Sequence, residues 1–213
     1  FQGVSNIIRF NWPFYLLSAG AVLGLIFIRE ISNASVRIIA DALLFISVGS
    51  TLISLLVSFY VYDLSGLYEL RWLDDLPHEK ADTIANINAG FDETSSLLAE
   101  RYKDAELVVF DFYDPARHTE ASIRRARKSY PPFPGTRRVA TGTLPIKSGS
   151  IANAFAIMSS HEIRNAVERR SFFSEINRAL RPNGRIVVVE HLRDAANFLA
   201  YNIGAFHFHS RAA

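Results

Sequence analysis

The stretch Phe172 to Glu190 reads FFSEINRALRPNGRIVVVE. Its first half closes a helix placed at Arg164 to Leu180, which Arg181-Pro182-Asn183-Gly184 stops and turns. The run Ile186 to Val189 after the turn is a short apolar strand. Working upstream, the same alternation repeats. Ala152 to Met158 is expected as a fourth strand, Val139 to Thr141 as a third, Leu107 to Phe110 as a second and Thr83 to Asn88 as a first. Helices are expected at Glu93 to Tyr102 and at the arginine-rich His118 to Lys128, and Tyr130 to Gly135 (YPPFPG) breaks the chain between the second and third strands. Strands alternating with helices imply an α/β fold with a parallel sheet covered on both faces. Such sheets bind ligands at the carboxyl ends of their strands. Four places follow: Asn88 to Asp92, Asp111 to Asp114, Met158 to Asn165 and Glu190 to Asp194.

The first third of the chain is different. Two runs carry no charge, Trp12 to Ile28 (WPFYLLSAGAVLGLIFI) and Ala42 to Tyr62 (ALLFISVGSTLISLLVSFYVY), and each approaches the ~20 residues that span a bilayer core. Trp12, Tyr15, Tyr60 and Tyr62 lie near the ends of these runs, where amphipathic rings favour the interface. A cleaved signal peptide for the first run and a buried core helix for the second are the alternatives, and Arg29-Glu30-Ile31 makes a poor cleavage site. The short connector Arg29 to Arg37 makes the pair an antiparallel hairpin, with Asp41 at the start of its second helix. The expected organisation is a membrane hairpin over 1–62, a linker over 63–81 and an α/β domain over 82–213.

The 213 residues carry a net charge of only +2, which gives no global basic field, so no nucleic-acid partner is expected. Up to Asp75 there are 4 basic and 6 acidic residues, against 19 and 15 afterwards, so the two regions suit different solvents. Cysteine is absent, which removes disulfides, thiolate metal sites and cysteine nucleophiles together. The basic run Arg124, Arg125, Arg127 and Lys128 reads as a solvated helix face, with anionic headgroups as its next reading. Phe206-His207-Phe208-His209 lacks further ligands, and no metal is expected. The chain starts without methionine and stops at Ser210 to Ala213, which reads as a fragment.

From Ala81 to Asp194 the chain resembles the class I S-adenosylmethionine-dependent methyltransferases of the small-molecule type. Phe172 to Glu190 looks like that family's helix, L-[KR]-P-G-G turn and fifth strand, and Leu144 to Ser150 (LPIKSGS) like its connector before the fourth. The string NINAGFDETSSLLAERY from Asn86 to Tyr102 is similar to a membrane-attached bacterial variant of the family. It departs from the usual acidic residue and G-x-G-x-G loop. Asn86 stands at the acidic position, and of the glycines only Gly90 remains, between Asn88-Ala89 and Phe91. The resemblance implies a Rossmann-like methyltransferase sheet that binds S-adenosylmethionine. It implies cofactor contacts from Asn86, Asn88, Ala89 and Gly90, from Asp111 to the ribose hydroxyls, from Phe112 to the adenine, and from Thr141 and Ser159. The family's final antiparallel strand pair is not supplied, so the sheet is either truncated or abbreviated.

For methyl transfer to a hydroxyl, a base is needed beside the transferred methyl. His161-Glu162 follows the fourth strand and is the expected catalytic pair, with Glu190-His191 after the fifth as the other His/Glu pair; either histidine can instead bond its own loop. The resulting expectation is a methyltransferase anchored in the inner or cytoplasmic membrane, its catalytic part facing the cytoplasm where the cofactor is made. Its substrate would be lipophilic, such as a quinone-like, polyene, aryl or lipid molecule. A non-catalytic membrane protein using the fold as a binding or assembly module is the alternative. A dinucleotide-dependent oxidoreductase would need G-x-G-x-x-G after the first strand, which is missing.

Overall fold

A computed structural model describes residues 2–118 and 121–210. The chain divides into two compact units, Phe1–Leu67 with Arg193–Ala213, and Tyr68–Leu192. This division differs from the expected linker over 63–81 and undivided domain over 82–213.

The first unit opens with α1 (Gln2–Phe10), a helix the hydropathy pattern does not predict. Its first amides, Gly3 N and Val4 N, donate to the two carboxylate oxygens of Asp63, both at 2.9 Å. Next come α2 (Trp12–Ile31), with Pro13 in its first turn, and α3 (Ala34–Phe59), capped by the Asn33 side chain, which accepts from Val36 N. The connector is therefore shorter than Arg29 to Arg37, and Asp41 lies two turns inside α3 rather than at its start. The reason is pairing. Arg29 Nε donates to Asp41 Oδ1 at 2.6 Å and Nη1 to Glu30 at 2.6 Å, so charges that a lone helix would push outside are matched between helices. Among the described residues, α2 buries none of its side chains and α3 only Ala40 and Ser58. Both helices are long and apolar enough to cross a membrane.

The second unit is built on a parallel sheet. Its elements are β1 (Thr83–Asn88), α4 (Ser95–Arg101), β2 (Glu106–Asp111), α5 (Ala121–Ser129), β3 (Arg137–Arg138), β4 (Ile151–Ile157), α6 (Ala166–Ala179) and β5 (Leu180–Val189). Thr119 and Glu120, inside the expected His118 to Lys128 helix, lie outside the described residues. The strands run in the order β3, β2, β1, β4, β5, with every neighbour parallel. Strand order reverses between β1 and β4, which makes this a doubly wound sheet with its switch point there. Alternation along β1 sends Ala85 and Ile87 to one core with Phe110, Phe172 and Ile176, and Ile84 to the other with Leu98, Tyr102 and Phe155. Leu70 and Leu73, from the segment expected to be a linker, are buried in that second core.

Two expectations change. The third strand is Arg137–Arg138 rather than Val139 to Thr141, because at Ala140 the chain turns back and bridges Thr143. β5 starts at Leu180, and the expected turn at Arg181 to Gly184 is absorbed as an irregularity in its pairing with β4. Gly184 makes that possible. A Cβ there would lie 2.9–3.1 Å from the carbonyl oxygens of Arg181, Ile151 and Ala152, all backbone atoms held by the sheet. The last elements, α7 (Ala195–Tyr201) and a 3-10 turn at Asn202–His207, belong to the first unit.

Gly184→Ala should cost roughly 1–3 kcal/mol by overpacking, read as a lower urea midpoint for loss of circular dichroism. An unchanged midpoint would mean that the irregularity near the start of β5 yields freely.

Candidate functional site

The carboxyl ends of β1, β2, β4 and β5 meet at one edge of the sheet. In the loop after β1, Asn86 is buried and its amide donates to Ser95 Oγ at 2.8 Å and Thr94 Oγ1 at 3.0 Å. It therefore fastens the loop to the start of α4. Asn88 Oδ1 accepts from Gly90 N at 3.2 Å, while Asn88 Nδ2 is buried without a hydrogen-bond partner. Gly90 turns the chain with φ +99°, a left-handed conformation that favours glycine. Ala89 is buried beside it.

Asp111 ends β2 and is buried. Its Oδ1 accepts from Tyr113 N at 2.9 Å and its Oδ2 from Arg127 Nη1 at 2.6 Å. The same Nη1 donates to Gly90 O at 2.9 Å, and the guanidinium lies over the Tyr113 ring, 4.4 Å from its centroid. Phe112 is placed away from this groove. Its ring joins the core against Phe172, 5.5 Å away, because alternation along the strand turns it to the face opposite Asp111.

The loop after β4 starts with Met158 at φ +51°, a strained conformation for a side-chain-bearing residue and one that clusters at functional sites. Ser159 Oγ donates to Ile87 O at 2.8 Å and ties β4 to β1. Glu190, at the end of β5, accepts from the backbone amides of Ser159 and Ser160 at 2.8 and 2.5 Å and bonds His161 Nδ1 at 2.5 Å. His161 Nε2 lies 3.5 Å from Glu162 Oε1. Burial opposes a charge on this ring, but its bonds to Glu162 and Glu190 and their negative charge prevail, and its pKa is pushed up to about 10. Burial likewise opposes the Glu190 charge, and the His161 ring and the Ser160 amide hold that carboxyl below its ordinary range. His161, expected as a base, is therefore an imidazolium at neutral pH.

Ala89, His161 and Glu162 come together around a cavity of about 70 Å³, lined also by Tyr68, Phe91 and Met158. Thr141 lies apart from it, on a second cavity of about 200 Å³ shared with His118, Glu162 and Glu168. Its hydroxyl donates to Glu168 at 2.7 Å, and Arg117 grips the same carboxylate with two bonds. Asn86, Asp111 and Ser159 border neither cavity. Glu190, expected beside His191, pairs instead with His161, and Arg127 joins the site without having been expected there. The pairing of Ile157 with Val189 puts Glu190 level with the β4 loop, a signal available once strand order is known.

The polar groups suit S-adenosylmethionine: a carboxylate at the end of β2, a glycine turn after β1, and an unpartnered buried donor at Asn88. The space beside Gly90 is taken by the chain itself. A Cβ on Gly90 would lie 2.7 Å from the Tyr113 ring and 2.8 Å from Arg127 Nη1. The 70 Å³ cavity is also well below the ~300–1,000 Å³ of ordinary ligand pockets. The donor set fits, and the space beside Gly90 holds the Tyr113 ring and Arg127.

No protein-family model and no curated protein sequence matches the chain. Solved structures do. One is an S-adenosylmethionine-dependent methyltransferase from Methanosarcina mazei (18% identity over 55% of this chain and 56% of that one, TM-score 0.42). Another is geranyl diphosphate C-methyltransferase from Streptomyces coelicolor A3(2), in complex with Mg2+, geranyl diphosphate and S-adenosyl-L-homocysteine (18%, 70% and 56%, TM-score 0.47). A third is phosphoethanolamine N-methyltransferase 2 from Haemonchus contortus, in complex with S-adenosyl-L-methionine (14%, 68% and 33%, TM-score 0.45). The likeness is one of fold, and the chain spans a little over half the length of the first of these.

The His161 charge gives the fold a pH signature. Its stabilisation is complete below the ordinary histidine value of 6.5 and is lost as pH rises towards about 10. Between those values the wild-type melting temperature should fall more steeply than that of His161→Gln, measured by circular dichroism. Parallel curves would mean that the folded ring is neutral.

Proposed function

We propose that the chain is a membrane-anchored S-adenosylmethionine-dependent methyltransferase that acts on a lipophilic small molecule. The convergence of Asp111, the Gly90 turn and the His161–Glu162–Glu190 cluster at the carboxyl edge of one parallel sheet carries this reading. In it, Asp111 takes the ribose hydroxyls, Asn88 and Gly90 approach the cofactor through the first loop, and Thr141 borders the base. When bound, the cofactor supplies an electrophilic methyl. His161 bears a charge and holds Glu162, which lines both cavities and is the proton acceptor for a hydroxyl substrate.

Anchoring is supported by the exposure of α2 and α3. Leu17, Leu23 and Phe27 on α2, and Ile38, Phe45 and Leu56 on α3, are each about two-thirds exposed or more. A core helix would bury such residues, and water would not tolerate so large an apolar surface. A bilayer concentrates lipophilic substrates, and a cytoplasmic orientation follows from where the cofactor is made.

The purified chain in mild detergent is expected to bind S-adenosylmethionine and S-adenosylhomocysteine saturably in titration calorimetry. Asp111→Ala should weaken binding by roughly tenfold or more, the worth of a charge-assisted hydrogen bond. The second reading, a binding or assembly module without catalysis, is favoured by the Arg127–Asp111 pair and would prevail if the folded chain bound neither ligand. For the anchor, the chain should stay with the membrane pellet after alkaline carbonate extraction. Its release into the supernatant would refute the hairpin.

A further inference from the structure

Helix α5 turns one face towards the loop after β1 and the end of β2. Ile123 and Arg127, one helical turn apart, share that face. Ile123 lines the 70 Å³ cavity beside Ala89, Phe91 and Met158, and Arg127 reaches Gly90 O and Asp111. Burial along the helix is slight. Of its nine residues only Ala126 is buried, whereas α6 buries Phe172, Ile176 and Ala179. A helix this short is marginal in water by itself, so its position depends on its tertiary contacts, those of the inward face among them. That face makes a charge-assisted bond to a buried carboxylate, a bond to a loop carbonyl and a stack on Tyr113, which is in turn stacked on His118, 5.5 Å between centroids.

We propose that α5 is a lid over this groove and that Arg127 is its latch, an autoinhibitory contact in which the guanidinium holds the carboxylate that a ligand's hydroxyls would otherwise take. The latch rests on the cofactor reading above. With it closed, Asp111 Oδ2 is engaged, and the space beside Gly90 holds Arg127 and the Tyr113 ring. Arg127 is the movable element, because its long side chain can swing out while Asp111 stays fixed at the end of a central strand. The apparent affinity for a ligand is then the intrinsic affinity reduced by the fraction of molecules with the latch open. Sequence alone hides this, since Arg127 sits in a basic run that reads as a solvated face.

The test uses the full chain in detergent, with Arg127→Met, which keeps length and removes charge, and Arg127→Lys, which keeps charge and loses the forked reach. Two measurements are made: deuterium exchange of amides 121–129 without ligand, and calorimetric titration of S-adenosylhomocysteine. Arg127→Met is expected to exchange faster through α5 and to bind S-adenosylhomocysteine about tenfold tighter or more. Arg127→Lys should fall between it and the wild type. Binding by Arg127→Met but not by the wild type would also support the latch. Equal saturable affinities, or weaker binding in Arg127→Met, would overturn the latch and leave the cofactor reading standing. Unchanged exchange across 121–129 would overturn the lid. Absence of binding by all three folded proteins would overturn the latch and the cofactor reading together. If Arg127→Met fails to fold, Arg127→Lys carries the test against the wild type: tighter binding with faster exchange supports lid and latch, and unchanged values overturn them.

Discussion

β4 is buried along all seven of its residues, with β1 on one side and β5 on the other. A parallel strand covered on both faces has no place for an unpaired charge, and even an uncharged polar group there needs a partner. Asn153, the one polar side chain in β4, donates to Pro77 O at 2.9 Å, so a backbone carbonyl from the segment before β1 satisfies it. Charged chemistry is displaced to the strand ends. Asp111 and Glu190 both stand at the carboxyl edge, where loops can reach them.

Each of these carboxylates is matched by a cation from this chain, and the two matches differ in kind. Glu190 holds the β4 loop through backbone amides as well as through the His161 ring, so loop shape and charge balance are a single arrangement. Among the described residues, Asp111 accepts from the Tyr113 amide and otherwise faces the Arg127 side chain on α5, a helix that buries only Ala126. The first pair depends on an imidazole that can lose its proton, whereas a guanidinium keeps its charge throughout. One end of the site therefore carries a titratable cation, the other a permanent one.

Much of the fold is legible because burial writes itself into composition. TIANIN and the apolar run of β4 lie on their expected positions to within a residue, since strands covered on both faces must be apolar. β3 escapes such a reading because it consists of two exposed arginines, which carry no hydrophobic signal. The start of α3 is hidden because Arg37 and Asp41 read as charges outside a span, and only the folded hairpin supplies Arg29 as a partner for Asp41. In the site, His161, Glu162 and Asp111 are found from their places after strands. Their pairing is not, because Glu190, itself found after the fifth strand, is 29 residues from His161 and Arg127 is 16 from Asp111, and nothing local links either pair.

The Arg29–Asp41 pair also acts as a depth gauge for the anchor proposed above. A paired arginine and aspartate belong at the polar boundary of a bilayer, which fixes where the apolar length of each helix begins. From Ala42 to Tyr62 no charge intervenes and the chain stays helical throughout, a rise of ~30 Å at ~1.5 Å per residue. A typical bilayer offers a hydrocarbon core of roughly 30 Å, and thinner and thicker ones lie a few Å to either side. In that anchor, a span of this length would stand nearly upright in an ordinary bilayer and would have to tilt in a thin one, so the ion pair would govern the helix's angle as well as its depth.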